Sequence, residues 1–149
     1  MARIIVSDPS VIIRRRQTLA LIQQGHLIIA EASDGMETYQ KCRTYRPDVI
    51  IHPLIMSGLD GLECLKRIRC TWPEIKTVIT YGGKYDLLRD AARATGCDVL
   101  VSAPSDTDAI CRAVQECLDK QSPAEAIRSA VRELVYILTE PETSLNRKR

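Results

Sequence analysis

The stretch Asp48-Val-Ile-Ile-His-Pro-Leu-Ile-Met-Ser-Gly-Leu-Asp-Gly61 decides how this chain folds. Val49 to Ile51 form an apolar, β-branched run, the pattern of a short strand buried on both faces of a sheet. Gly58 to Gly61 carry turn residues, with Asp60 placed to cap a helix that begins at about Leu62 and reaches Cys70. Open α/β sheets build their reactive or ligand-binding sites between such a strand and such a helix, at the strand's carboxyl end. Pro53 stands there, with no acid, no nucleophile and no N–H.

The same alternation recurs on both sides. Arg3-Ile-Ile-Val-Ser7 is a strand, and Asp8-Pro9 opens a helix to about Gln24, with Asp8 as the expected cap and Gly25 beyond the end. Arg14, Arg15 and Arg16 are consecutive and therefore spread around that helix, so one stem lies over the core and no single basic stripe forms. Leu27 to Ala30 form the second strand, and a helix capped by Ser33 or Asp34 runs to Tyr45 and stops at Arg46-Pro47. Lys76 to Thr80 form the fourth strand, Tyr81-Gly82-Gly83 a flexible loop, and Tyr85 to Thr95 a helix ending at Gly96. Val99 to Val101 form the fifth strand. Ser105-Asp-Thr-Asp108 is a capping box for a helix with Ile110, Val114, Cys117 and Leu118 on one face. Five strands alternating with five helices imply a parallel sheet covered on both faces.

After Lys120 the pattern changes. Ser122-Pro-Ala-Glu125 opens a sixth helix over about 123–139, on which Ile127, Ala130, Val131, Leu134 and Leu138 form an apolar stripe. The expected organisation is a domain over residues 1–120, then this amphipathic helix and a disordered tail within residues 121–149. About 28 residues after the sheet are too few for an added DNA-binding domain of usual size.

Composition narrows the class. The 149 residues are 45% hydrophobic and 27% charged, as in a globular protein, and a net charge of +2 does not imply nucleic acid. No apolar run spans a bilayer and no leader precedes the first strand, which gives the expectation of a cytoplasmic protein without a membrane partner. The six cysteines (42, 64, 70, 97, 111, 117) show no metal-binding spacing and read as free thiols in a reducing compartment. No nucleophile–base pair and no phosphate-binding glycine loop points to an enzyme.

The order of these signals resembles the receiver domain of bacterial two-component response regulators. The phrases that carry it are Arg3-Ile-Ile-Val-Ser-Asp-Pro9, Glu31-Ala-Ser-Asp-Gly35, Arg46-Pro-Asp48, Met56-Ser-Gly-Leu-Asp-Gly61, Val78-Ile-Thr80, Ala94-Thr-Gly-Cys-Asp98 and Ala103-Pro104. The resemblance implies a flavodoxin-like, CheY-like (βα)5 doubly wound sheet in strand order 2-1-3-4-5, plus the extra C-terminal helix. It also implies a part in phosphorelay signalling. Carried over by position, the phospho-acceptor is Pro53, and the acidic pair is Ser7 and Asp8. The lysine is Ala103, followed by Pro104. The switch positions are Thr80 and Leu100, with Tyr81 large enough to crowd the pocket.

These departures imply a degenerate receiver, without catalytic residues. Mg²⁺ needs oxygen ligands, and Asp8 alone is a weak candidate, so no cofactor is expected. His52 cannot substitute for an acceptor, because side chains alternate along a strand and Pro53 holds the inward direction. The expected partners are proteins: a histidine kinase, an output protein, or a second copy in a homodimer, the sixth helix either pairing with its copy or folding back on the sheet domain. The interaction face would include Leu87, Leu88, Leu100 and Ile110. Two alternatives stand beside this reading. One is a small-ligand or thiol-redox sensor using the vacated pocket. The other is the N-terminal receiver of a longer transcriptional regulator.

Overall fold

The computed structural model describes residues 1–82, 86–103, 106–120 and 123–139. The chain divides into two compact units, Met1–Asp119 and a second that begins at Lys120.

In the first unit, strands β1 (Arg3–Ser7), β2 (Leu27–Ala32), β3 (Val49–Pro53), β4 (Lys76–Gly82) and β5 (Val99–Ala103) form one sheet. Its order is β2-β1-β3-β4-β5 with every pair parallel, the flavodoxin-like arrangement. Helices α1 (Val11–Gln23), α2 (Gly35–Tyr45), α3 (Gly61–Thr71) and α4 (Asp86–Thr95) connect successive strands, and α5 (Thr107–Asp119) follows β5. Alternation along the strands makes two cores. Ile4, Val6, Val49, Ile51 and Val78 pack with Leu21 of α1 and with Ile110, Ala113, Val114 and Cys117 of α5. On the opposite face Ile5 and Ile50 meet Cys42 of α2 and Cys64 and Ile68 of α3, while Ile79 meets Leu65 of α3 and Ala92 of α4.

Several boundaries differ from the sequence expectation. β2, β3, β4 and β5 each run about two residues further toward their carboxyl ends. Tyr81 and Gly82 therefore belong to β4 rather than to a loop, because they pair with Ser102 and Ala103 of the lengthened edge strand; Gly83 and Tyr85 lie outside the described residues. Asp8 is not the cap of α1. That cap is Ser10, whose Oγ accepts the Ile13 amide at 3.3 Å, while Asp8 Oδ1 accepts the Ser10 amide at 2.8 Å. Asp34 and Asp60 do cap α2 and α3, accepting the amides of Glu37 and Glu63, each at 2.8 Å. Asp106 accepts the Ala109 amide at 2.6 Å, two positions into the expected capping box; Ser105 is outside the described residues. Leu118 is more than a third exposed, so the inward stripe of α5 is Ile110, Ala113, Val114 and Cys117.

A proline in a central strand needs an explanation, since it removes a ladder donor. The β1–β3 ladder ends at Val6↔Ile51, two residues before Pro53. The Leu54 amide donates to the Thr80 carbonyl at 2.9 Å, so the preceding position faces the β1 side, where pairing has already stopped. Pro53 breaks no ladder bond.

The second unit contains α6 (Pro123–Thr139). Taken by itself, it places Ile127, Val131, Leu134 and Leu138 at alternating steps of four, three and four, a heptad-like stripe. The expected tail over 140–149 lies outside the described residues.

A crevice at the carboxyl edge of the sheet

The carboxyl ends of the central strands frame a crevice of about 140 Å³ lined by Asp8, Pro53, Thr80, Tyr81, Ala103 and the Leu54–Ile55 turn. Of the residues singled out by position, the structure brings Asp8, Pro53, Thr80 and Ala103 together. Each arrives there as the last residue of a strand or just beyond it, except Thr80, which pairs with Pro53.

Their chemistry is sparse. Asp8 is largely buried, and its second anchor is the main-chain oxygen, which accepts from Arg14 Nη1 at 2.7 Å. Burial pushes the Asp8 carboxyl above the ordinary aspartate range, against the opposing pull of the Ser10 amide and the Arg14 charge. Thr80 is buried, and Tyr81 packs among Ile79, Leu88 and Leu100. The lining offers one carboxylate and no ammonium group. It does not fit Mg²⁺, which needs a set of oxygen ligands beyond Asp8 alone. Among the described residues, no group of three His, Cys, Asp or Glu could hold a metal ion.

Ser7 and Leu100 sit elsewhere. Ser7 is buried against α2, with its Oγ 2.5 Å from Thr38 Oγ1 and 3.6 Å from Met56 Sδ. Leu100 is half-buried beside Leu88 and Tyr81. Pro104 lies outside the described residues. His52 is fully buried, and its Nδ1–H donates to the Pro53 carbonyl at 3.0 Å, which leaves Nε2 bare. Burial pulls its pKa down to about 4.

The expected interaction face is corrected at one position. Leu87 is 86% exposed and Leu88 is half-buried, but Ile110 is 1% exposed because α5 turns it onto the sheet. Sequence reasoning missed Thr38 and Gln17. Both are polar residues at core-facing positions of α2 and α1, a phase conflict that marks a buried polar contact. Four of the thiols are shifted away from activation. Cys42, Cys97 and Cys111 are pushed up by burial, and Cys64 is pushed up to about 12 for the same reason.

A parallel five-stranded sheet with a switch point between β1 and β3, and a crevice at its carboxyl edge, defines a doubly wound α/β protein of the flavodoxin-like class. Residues 4–115 match the response regulator receiver domain, and the chain belongs to that family. It is 34% identical over 79 residues to the oxygen regulatory protein NreC of Staphylococcus aureus, covering 52% of this chain and 36% of NreC. The chain thus spans about a third of the length of the curated relatives it matches. Among solved structures, the signal receiver domain of NarL from Mycobacterium tuberculosis superposes with a TM-score of 0.75 at 21% identity, covering 80% of this chain and 98% of that one. A LuxR-family two-component response regulator from Aurantimonas sp. SI85-9A1 gives 0.72 at 25% identity, covering 90% and 99%. No helix among the described residues is long and apolar enough to cross a membrane.

Proposed function

We propose that this receiver domain works without phosphorylation, as a protein-binding module of two-component signalling rather than as an enzyme. The observation that carries the reading is the lining of the 140 Å³ crevice: Pro53 at the end of β3, Asp8 as its one carboxylate and Ala103 at the end of β5. Phosphoryl transfer rests on positioning and charge neutralisation, and this lining supplies no acid at the Pro53 position and no cation. No Mg²⁺ takes part, and the protein acts in the cytoplasm with its signalling partners. The partner is a histidine kinase, an output protein or a second copy of this chain, engaged through the exposed part of the α4–β5 edge around Leu87. Self-pairing uses the α6 stripe of Ile127, Val131, Leu134 and Leu138.

Two measurements test it. Beryllofluoride with Mg²⁺ leaves the amide NMR spectrum unchanged; a saturable shift of Thr80 or Ala103 would overturn the reading. Light scattering gives a dimer mass that Val131→Glu reduces to a monomer; a mass insensitive to that change removes α6 as the seam.

A second reading has its own support. The likeness to NreC, described as an oxygen regulatory protein, and to a LuxR-family regulator suggests a receiver placed in a longer transcriptional regulator. The thiol-redox alternative gains nothing from cysteines whose resolved shifts all run upward.

A further inference from the structure

A second, larger cavity opens on the other flank of Asp8, between α1 and α5. Its volume is about 420 Å³, within the range of small-molecule sites. It shares Asp8, Thr80 and Ala103 with the crevice at Pro53, and α1 and α5 supply the remainder of its wall. The wall is mainly apolar, with Ile13 from α1 and Ile110 from α5.

Its polar side chains are Asp8, Arg16, Gln17, Thr80, Asp106 and Thr107. Gln17 lines the cavity at only 6% exposure, and its Oε1 is buried with no hydrogen-bond partner. A buried amide oxygen left unpaired is costly and uncommon in folded proteins, so it marks a place where a donor is missing. Asp8 and Asp106 each use Oδ1 to hold a backbone amide, which leaves Oδ2 of each outside those bonds. Arg16 is the one cation of the lining, and it is exposed. The largely buried Asp8 carboxylate and the unpaired Gln17 oxygen, with Asp106 and Arg16 both exposed, favour a cation that donates hydrogen bonds. A bare metal ion fits poorly here, because most of the wall is hydrocarbon. An anion would meet Asp8 and Asp106.

We propose that the α1–α5 cavity binds a small organic ammonium ion, with its apolar body against Ile13 and Ile110 and its head donating to Asp8 and Gln17. This rests on the phosphorylation-independent reading, since a metal–phosphoryl complex would compete for the Asp8 carboxylate. Occupancy would be felt at the ends of β4 and β5, because Thr80 and Ala103 belong to both openings.

The full chain is titrated with benzylamine, benzyl alcohol and benzoate, following the Ile13 and Ile110 methyls and the Gln17 side-chain amide by NMR. Benzylamine gives saturable shifts at these three residues, benzyl alcohol binds about tenfold more weakly, and benzoate gives none. Asp8→Asn and Gln17→Met each weaken benzylamine while keeping a dispersed spectrum. Absence of saturable shifts overturns the proposal, as does equal binding of the three probes or binding indifferent to both substitutions. Beryllofluoride with Mg²⁺ is run in parallel. A response there defeats the parent reading, whereas silence there together with no benzylamine binding defeats the cavity alone.

Discussion

Ser7 Oγ lies 2.5 Å from Thr38 Oγ1, and the direction of that bond is fixed by a third group. The single proton of Thr38 goes to the Asp34 carbonyl at 2.7 Å, so Ser7 donates and Thr38 accepts. The end of β1 is thereby tied to the first turn of α2, whose cap is the Asp34 carboxylate. Ser7 is committed to holding the fold.

Substitution at Ser7 therefore acts on stability. Ser7→Ala loses one buried hydrogen bond and costs about 1 kcal/mol. Ser7→Asp costs more, about 3 kcal/mol, because it buries a second carboxylate beside a hydroxyl whose proton is already used. Urea denaturation checks both, and a neutral Ser7→Asp would show that Thr38 can release Asp34.

Pro53→Asp alone does not make the protein a phospho-acceptor. The new carboxylate would sit opposite Thr80, between Asp8 and Ala103, with no ammonium group in the lining to meet the transferred phosphoryl group. Incubation with acetyl phosphate and Mg²⁺, followed by intact-mass measurement, shows no adduct. A stable adduct would mean that the remaining lining suffices.

Much of this fold is legible in the sequence. Punctuation by Asp-Gly, Arg-Pro and Gly-Cys-Asp placed the elements in order, because caps and stops are local chemistry. Asp34 and Asp60 cap as their spacing predicts. Asp8 misled because Asp8-Pro9 and Ser10 both suit a helix start, and only the register of α1 chooses between them. Ile110 misled because a receiver's α5 has both an outward and an inward face, and helix phase is fixed by packing against Leu21 and the sheet. The α1–α5 cavity could not be read at all, since it depends on the space between two elements far apart in sequence.

Gly61 is needed for space rather than for a left-handed turn. A Cβ there would overlap the carbonyl oxygens of Pro53 and Leu54, and one at Gly35 would overlap the Leu59 carbonyl. The loop after Pro53 is thus held between the starts of α2 and α3. Gly61→Ala costs about 3 kcal/mol and shifts the Pro53 and Leu54 resonances. Gly35→Ala acts on the same loop from the other side. Thermal denaturation and amide NMR check this, and an alanine tolerated at Gly61 without movement of the loop contradicts it.

His52 makes stability depend on pH in a defined window. Its folded pKa, held down to about 4 by burial, lies below its ordinary value of 6.5, so between those values the unfolded chain binds the extra proton. Stability is therefore full above about pH 6.5 and falls as pH drops toward 4, by about 3 kcal/mol in total. The Nδ1–H bond to the Pro53 carbonyl survives protonation; the cost comes from charging Nε2, which has no partner. Asp8 opposes this trend, because a carboxyl raised by burial gains protons on folding as pH falls. The difference between wild type and His52→Leu isolates the histidine. The variant starts less stable, having left the Pro53 carbonyl unpaired, but its stability is flatter between pH 6.5 and 4. Denaturant midpoints at several pH values measure that difference, and parallel curves would place the acid sensitivity in another group.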